Sequence, residues 1–256
     1  MKALLWDVDG TIAETERDGH RIAFNRAFEI WGLPWRWDDE RYGELLEVTG
    51  GRERILYDMS TRDDAPTDPL DREALARKLH LTKNAIYGEL VRGGHVVLRS
   101  GVRDLMEQCR THGVAMAIAT TTSRANVDVL LRAQLGRTWP DWFEVVVSGD
   151  DVSVKKPDPE VYIQALEGLG VAPRDAVAIE DSPNGAAAAR AADIAVVITR
   201  STYFSDADFD GAIAVGPGLH STHGWHPEPS GSSVRSGAVE LTDIAHWHRS
   251  AVTPLT

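Results

Sequence analysis

The sequence contains little cysteine and no long apolar segment. Its 256 residues include a single cysteine, Cys109, so a disulfide within the chain is excluded. A lone cysteine is typical of a reducing compartment, and we expect a cytoplasmic protein. Near the N-terminus only a short apolar run, residues 3–6, precedes the first acid. A secretory signal needs a longer run and a membrane helix needs about 20 residues, so we expect neither.

Basic residues are also scarce. The 27 lysines and arginines are outnumbered by 39 acids, which gives a formal net charge of −12. Nucleic acid requires a basic binding face, so this balance argues against it as a partner. A small anion is still compatible as a ligand where a few local cations outweigh the background. The sequence leaves the oligomeric state open, and a monomer is compatible with it.

Short apolar runs recur along the chain. Runs of four to six such residues are typical of strands buried on both faces of a parallel sheet. They lie at residues 3–6, 115–120, 144–148, 176–179, 194–199 and 212–215. Helical patterns alternate with them at residues 102–112, 159–169 and 184–192. This alternation predicts the α/β class, with a Rossmann-like doubly wound parallel sheet as the core.

Residues 16–95 interrupt that alternation. They show helical patterns at 17–31, 40–47 and 71–91 and no buried-strand pattern. We interpret them as an inserted small α-helical cap domain, with residues 1–15 and 96–256 forming the core domain. The Gly/Ser/Pro-rich stretch at 216–236 predicts a loop, followed by a short edge strand at 238–241.

Two acids follow the first predicted strand, at the edge where such sheets bind ligands. Asp7 and Asp9 are two residues apart and therefore point to the same side, and Gly10 permits a sharp turn. One carboxylate can attack a substrate while the other handles protons, and their proximity should push their pKa values apart. The alternative for this pattern is a solvated acidic turn.

Polar residues also follow the next two strands. Thr120 begins a run of hydroxyl residues that opens a helix, which suits a phosphate, although Ser123 taken singly also suits an N-cap. Lys155 and Lys156 precede a proline and the next helix. They would supply cations to the same edge of the sheet. Taken alone, they would equally suit a pair of surface charges.

Glu180 and Asp181 follow the apolar run at 176–179. Oxygen ligands of this kind suit Mg²⁺, which bridges carboxylates and phosphate oxygens. Four strand ends thus offer a nucleophile, hydroxyls, a lysine and metal-binding acids in an order that converges in the folded sheet. The combination predicts a site for phosphate chemistry.

These motifs together resemble those of the haloacid dehalogenase superfamily. They read DVDGT at 7–11, Thr120, Lys156 before proline, and IEDS at 179–182. The segments ETERDGHRIAFNRAF and TGGRERI are similar to those of CbbY-type phosphatases, which act on pentulose bisphosphates such as xylulose 1,5-bisphosphate; β-phosphoglucomutase is a more distant relative. Many relatives have a proline after the glutamate that corresponds to Glu16, where this chain has Arg17, and that departure agrees with the CbbY branch.

The resemblance implies a role for each matching residue. Asp7 would be the nucleophile and a Mg²⁺ ligand. Asp9 would protonate the leaving oxygen and then activate water, while its backbone carbonyl binds the metal. The other motif residues would hold the phosphate (Thr120 and Lys156) and the metal (Glu180 and Asp181). Asp9 also argues for phosphate chemistry, because the true dehalogenases lack a second aspartate.

Substrate recognition is expected in the cap. Residues 50–54 place two arginines on a Gly-rich bend, which suits a second phosphate; the alternative is a helix-start loop with solvated charges. For His20 and Tyr42 a packing role is equally open. The predicted substrate-binding residues are Glu16, His20, Tyr42, Gly50, Gly51, Arg52, Glu53, Arg54, Ser123 and Arg124.

The resemblance therefore implies a Mg²⁺-dependent phosphatase that hydrolyses a small sugar bisphosphate through an aspartyl-phosphate. One alternative is a sugar-phosphate mutase, and another is a non-catalytic sugar-phosphate sensor, which would not need Asp9. We interpret His220, His223 and His226 as part of a surface loop and not as a metal site. The tryptophans between residues 31 and 37 are expected to pack the cap.

Overall fold

The computed structural model describes residues 1–229 and 237–252. Six parallel strands form one sheet in the order β3–β2–β1–β4–β5–β6. The strands are β1 (Ala3–Trp6), β2 (Ala115–Ala119), β3 (Val145–Val147), β4 (Ala176–Glu180), β5 (Ala195–Thr199) and β6 (Ala214–Gly216). The predicted α/β class and parallel sheet are confirmed, and each apolar run corresponds to one strand.

Strand β1 lies at the centre of the sheet, between β2 and β4. Leu4 and Trp6 enter one apolar cluster and Ala3 and Leu5 enter another, so both faces of the strand are buried. This explains why the strand sequence is continuously apolar. Strands β2 and β3 lie on one side of β1, and β4, β5 and β6 lie on the other. This change of direction leaves a crevice at the carboxyl end of β1.

The α-helices are distributed around this sheet. In chain order they are α1 (Arg21–Ile30), α2 (Asp39–Leu45), α3 (Gly51–Ser60), α4 (Pro69–Arg92), α5 (Val102–His112), α6 (Arg124–Leu135), α7 (Glu160–Leu169), α8 (Pro183–Ala191) and α9 (Leu241–Val252). A π-helical turn, Glu16–His20, precedes α1. None of the helices in the described ranges combines the length and apolar character that a membrane span requires.

Each predicted helical stretch corresponds to a helix of the structure, but the edge strand predicted at 238–241 is wrong. Leu241 instead begins α9, whose buried side chains include Ile244 and Trp247. These residues are three positions apart, which is a helical spacing, so the apolar start of the segment belongs to a helix face. In the predicted loop, Gly216 ends β6 and His226 pairs with Val215, while residues 230–236 lie outside the described residues.

Helix α3 agrees with the helix start that was the alternative for residues 50–54, although Arg54 is buried and not solvated. Gly50 and Gly51 suggested a bend, and Gly50 does adopt a positive φ of 98°, but a helix starts directly after it. The helices between β1 and β2 share an apolar cluster that contains Trp35 and Trp37, as expected for tryptophans that pack the cap. Trp31 is the exception, since 43% of it is exposed.

The chain segments that enter and leave the helical insertion lie next to each other. Ala13 pairs with Leu98 in an antiparallel bridge, and Arg99 N donates to Ile12 O at 2.9 Å. Parts of α1 and α4 also join the apolar cluster on one face of the sheet. The exact division of the chain into a cap of residues 16–95 and a core therefore stays a prediction.

Candidate active site

The predicted motif residues meet at the carboxyl ends of neighbouring strands. Asp7 follows β1, Glu180 ends β4 and Asp181 follows it, and all three are buried. Lys156, between β3 and α7, extends its ammonium into this group. Its Nζ donates to Asp7 Oδ1 at 2.7 Å, to Glu180 Oε1 at 2.6 Å and to Ala119 O at 2.8 Å.

The three acids form a compact buried cluster. Ligand atoms of Asp7, Glu180 and Asp181 all lie within 4.8 Å of one another. Burial raises the pKa of Asp181 well above its usual value, and the charges of the other two acids add to this effect. Burial also raises the pKa of Asp7 to about 7, although Lys156 opposes the shift. Because one lysine cannot balance three carboxylates, the cluster fits a divalent cation.

Glycines shape this cluster. Gly10 has φ 82°, and a Cβ there would overlap the carboxylate of Asp181. A Cβ at Gly185 would overlap the carboxylate of Glu180 in the same way. Glu180 is also held by Tyr162, whose hydroxyl donates to Oε1 at 2.5 Å. Glu180 is thus fixed behind the cluster, and Asp7 and Asp181 are the acids of the cluster that line the adjoining cavity.

Asp9 has a different environment from Asp7. Its Oδ1 accepts a hydrogen bond from Thr15 Oγ1 at 2.6 Å and lies 3.1 Å from His20 Nε2. Burial raises the pKa of Asp9, but the contacts with His20 and Thr15 and the charge of Lys83 outweigh it and lower the pKa to about 2. The two pKa values therefore differ, but mainly because burial raises that of Asp7 while His20 and Thr15 lower that of Asp9, and not because of the proximity that we predicted as the cause. Their order is the reverse of the one that suits a nucleophile at Asp7 and an acid at Asp9.

The hydroxyl residues after β2 lie at the same edge. Thr121, Thr122 and Ser123 line the cavity, whereas Thr120 is fully buried and accepts a hydrogen bond from Thr122 N at 3.3 Å. Ser123 also caps α6 by accepting from Asn126 N. The N-cap interpretation of Ser123 is thus confirmed, and its side chain still borders the cavity.

The cavity separates these acids from the cap helices. Of the predicted substrate-binding residues, the structure places Glu16, His20, Gly50, Gly51, Arg54 and Ser123 in its wall. Tyr42 lies directly behind. It donates to Glu16 Oε2, and its hydroxyl accepts from Arg54 Nη1 at 2.9 Å.

Besides Tyr42, three predicted residues do not line this cavity. Arg52 pairs with Glu73 of α4. Glu53 pairs with Lys155, and Arg124 donates through Nη2 to a backbone carbonyl, Val146 O, at 2.6 Å. The direction of each side chain follows from the helix that carries it, because neighbouring positions on a helix point about 100° apart.

Sequence reasoning missed two basic residues of the cap, His80 and Lys83. Lys83 is buried, and burial lowers its pKa to about 8, although the charges of Glu16 and Asp9 oppose this. Burial and nearby lysines lower the pKa of His80 to about 4. A signal was present in the sequence, because Lys83 interrupts an otherwise apolar face of α4.

The segment after β5 was also missed. Ser201, Tyr203 and Phe204 line the cavity from the sheet side. Arg200 holds this segment by donating to Ser205 O at 2.7 Å, and the Tyr203 hydroxyl donates to Asp39 of the cap at 3.1 Å. The end of β5 is another strand end of the kind that identified the other motifs.

Comparisons with known proteins place this geometry in a family. A family model described as haloacid dehalogenase-like hydrolase matches residues 1–193. The chain is 45% identical to CbbY of Rhodobacter capsulatus over 212 residues, which cover 83% of this chain and 91% of that protein. It is 39% identical over 259 residues to the plasmid-encoded CbbY of Cupriavidus necator, which covers 100% of both.

Solved structures of CbbY are also similar to this chain. The CbbY crystal structures from Rhodobacter sphaeroides are 40% identical, with a TM-score of 0.77, and cover 83% of this chain and 92% of that one. One of them contains phosphate. The other is a mutant in complex with xylulose-(1,5)bisphosphate.

Proposed function

Since the chain belongs to the haloacid dehalogenase-like hydrolase family and is a phosphatase, we propose that it removes one phosphate from a small sugar bisphosphate with Mg²⁺ as cofactor. The charges on the two walls of the cavity carry this proposal. Asp7, Asp181 and Lys156 lie at the strand ends, while Arg54 and Lys83 face them from the cap. A substrate with a phosphate at each end satisfies both walls. The ligand of Rhodobacter sphaeroides CbbY supports a pentulose bisphosphate.

The chain's own residues account for the chemistry. An oxygen of Asp7 attacks phosphorus, the new P–O bond forms, and the bond from phosphorus to the sugar oxygen breaks. Asp9 gives its proton to that leaving oxygen. Asp9 then takes a proton from water, which attacks phosphorus, releases phosphate and regenerates Asp7. The ammonium of Lys156 balances the negative charge of the transferring phosphate, and the polar groups of the chain around Thr121 contribute to the same effect.

Asp7 and Asp181 would hold Mg²⁺, and Glu180 would add negative charge behind them. When bound, the ion supplies positive charge to the phosphate and lowers the pKa of Asp7. A phosphate beside Asp9 raises the pKa of that group, because like charges disfavour ionisation. Both effects act to reverse the order of the pKa values, so that Asp7 is ionised and Asp9 can donate.

A turnover screen with Mg²⁺ over paired sugar monophosphates and bisphosphates tests the proposal. We expect one phosphate released per bisphosphate, with a higher kcat/KM than for the matching monophosphates. A mutase would give an isomerised sugar phosphate without net release of phosphate. A sensor would bind the compounds without converting them, and either result would reject a phosphatase of this kind.

The variant Asp7→Asn tests the mechanism. An amide is a poor nucleophile and a poor metal ligand, so we expect turnover to fall by at least about 10³, with the melting temperature close to that of the parent. The exposed Asp71→Asn on α4 serves as the control and should behave like the parent. Activity of Asp7→Asn within tenfold of the parent would contradict an aspartyl-phosphate.

A further inference from the structure

An ion pair joins the sheet side of the cavity to the cap. The Nζ atom of Lys155 lies 2.9 Å from Oε2 of Glu53. Lys155 is next to Lys156, which contacts Asp7, and Glu53 is in the first turn of α3, next to Arg54. The contact therefore links the segment that carries the proposed phosphate lysine to the helix that carries the cavity arginine.

The oxygen of Glu53 depends on this contact. Its Oε2 atom is buried, and in the described part of the chain the ion pair with Lys155 is the polar contact that compensates it. The neighbouring Arg52 lies 3.9 Å away from the other oxygen, Oε1. Burial raises the pKa of Glu53, but the contact with Lys155, a backbone hydrogen bond and the charge of Arg52 together outweigh burial and lower it. A buried carboxylate oxygen needs such a partner, because leaving it unpaired is unfavourable.

Gly50 leaves the space in which the two side chains meet. It has φ 98°, and a Cβ at this position would overlap Glu53 Oε2 and lie 2.6 Å from Lys155 Nζ. A larger residue would therefore force the ends of these two side chains to move from the positions in which they meet. The positive φ of Gly50 independently favours glycine at this position.

We propose that the Lys155–Glu53 ion pair positions α3, and with it Arg54, over the cavity during the reaction. This inference rests on the proposed hydrolysis of a sugar bisphosphate. Lys155 also borders the cavity, but its ammonium is directed to Glu53, so we assign it a positioning role. Because Arg54 itself contacts Tyr42 and lies near Glu16, a displaced α3 would disturb the whole cap side of the cavity.

Three variants test this role by kinetics: Lys155→Gln, Glu53→Gln and the double exchange Lys155→Glu with Glu53→Lys. The pair is partly exposed, with 25% and 36% of the side chains accessible. For a pair of this kind we expect each single variant to raise KM about two- to fivefold with kcat within about twofold of the parent. The double exchange should recover part of the loss in KM, because the opposite charges again face each other although a carboxylate now borders the cavity.

Direct binding of substrate by Lys155 would give a different pattern. In that case Glu53→Gln would leave KM unchanged or lower it, since the lysine would be released to the substrate. The double exchange would then bind substrate worse than either single variant. Either result overturns the proposal.

A second measurement does not depend on turnover. Hydrogen exchange of the α3 amides (Gly51–Ser60) in the intact protein should accelerate several-fold in Lys155→Gln and return to the parent rate in the double exchange. Arg36→Gln is the control, because it removes an exposed positive charge of the cap that lies outside α3. Unchanged exchange in Lys155→Gln would overturn the proposal. If the parent protein released no phosphate, the proposed function would be rejected, but the exchange experiment would still test the ion pair.

Discussion

Lys155 and Lys156 are neighbours in the chain, yet their side chains contact different parts of the molecule. Lys156 is buried between Asp7 and Glu180, whereas Lys155 reaches Glu53 on the cap. The motif predicted that Lys156 would be the more important lysine. It contained no indication that Lys155 has a partner, Glu53, about a hundred residues earlier in the sequence.

The two lysines should differ strongly when substituted. Lys156→Ala removes a cation that lies against the attacking carboxylate, so we expect a loss of about 10²–10³ in kcat. Lys155→Ala should change kcat less than about twofold. Steady-state kinetics on both purified variants, with circular dichroism to confirm folding, checks this. Equal losses in kcat would mean that the two roles are wrongly assigned.

A comparable contrast holds for the two arginines of α3. Arg54 lines the cavity and Arg52 does not, although the sequence predicted both as substrate ligands. Arg54→Ala should raise KM for a bisphosphate by about 10- to 150-fold, because a charge-assisted hydrogen bond contributes about 1.5–3 kcal/mol. A monophosphate held at the strand ends should lose far less.

Arg52→Ala is the matched control for that experiment. It replaces an arginine two positions away that pairs with Glu73, so both substrates should keep KM values within about twofold of the parent. Arg54→Lys keeps the charge and should recover part of the affinity. If Arg54→Ala affects both substrates by the same factor, Arg54 supports the structure of the cap and does not bind the second phosphate.

At the scale of elements, α3 is tied into the cap by Asp58. This buried carboxylate accepts hydrogen bonds from Trp37 Nε1 at 2.9 Å, from Arg41 Nη2 at 2.7 Å and from Arg62 Nε at 2.7 Å. One acid thereby joins α3 to α2 and to the chain on either side. These three hydrogen bonds help to hold α3 in place, although its own apolar patterning is weak.

Asp58→Asn should lower the free energy of unfolding by about 1.5–3 kcal/mol at neutral pH, because charged hydrogen bonds are lost. Burial raises the pKa of Asp58, but its donors outweigh burial and lower it. The contribution is therefore complete above the ordinary pKa of about 3.9 and is lost as pH falls through the lower folded value. Urea denaturation at several pH values should show the difference shrinking below about pH 4.

The control for this helix is Glu44→Gln. Glu44 contacts the same arginine, Arg41, but 60% of its side chain is exposed. We expect a change within about 0.5 kcal/mol at every pH. If Glu44→Gln lowered the free energy of unfolding as much as Asp58→Asn, the stabilisation would come from the contacts of Arg41 and not from the buried carboxylate of Asp58.

At the scale of the whole molecule, the acidic cluster and the cavity lie where the sheet meets the helical insertion. Because of this cluster, the stability of the folded state and the activity should both depend on a divalent cation. We expect a chelator to abolish turnover and added Mg²⁺ to restore it. Mg²⁺ at about a hundred times its Kd should stabilise the fold by about 2.7 kcal/mol, measured as a rise in Tm.

Asp181→Asn provides the matching variant. It should abolish the Mg²⁺-dependent rise in Tm, yet without Mg²⁺ it should be at least as stable as the parent. The reason is that the pKa of Asp181 is raised by burial and by its acidic neighbours, so its ionised form opposes folding at neutral pH. An unchanged response to Mg²⁺ would place the ion elsewhere.

The sequence by itself determined the sheet and the position of its motifs. Strands buried on both faces must be continuously apolar, so their sequences mark them without reference to the rest of the chain. The carboxyl ends of parallel strands share one edge, so Asp7, Lys156 and Asp181 had to meet there. This part of the site depends only on order along the chain.

Only the tertiary structure decided how the cap faces that edge. The direction of a side chain on α3 or α4 depends on which face of the helix packs, and that depends on contacts with the other helices. For this reason the structure directs Arg54 and Lys83 into the cavity and Arg52 out of it. The same dependence on packing brings Glu53 to Lys155, a pairing that no local pattern in the sequence encodes.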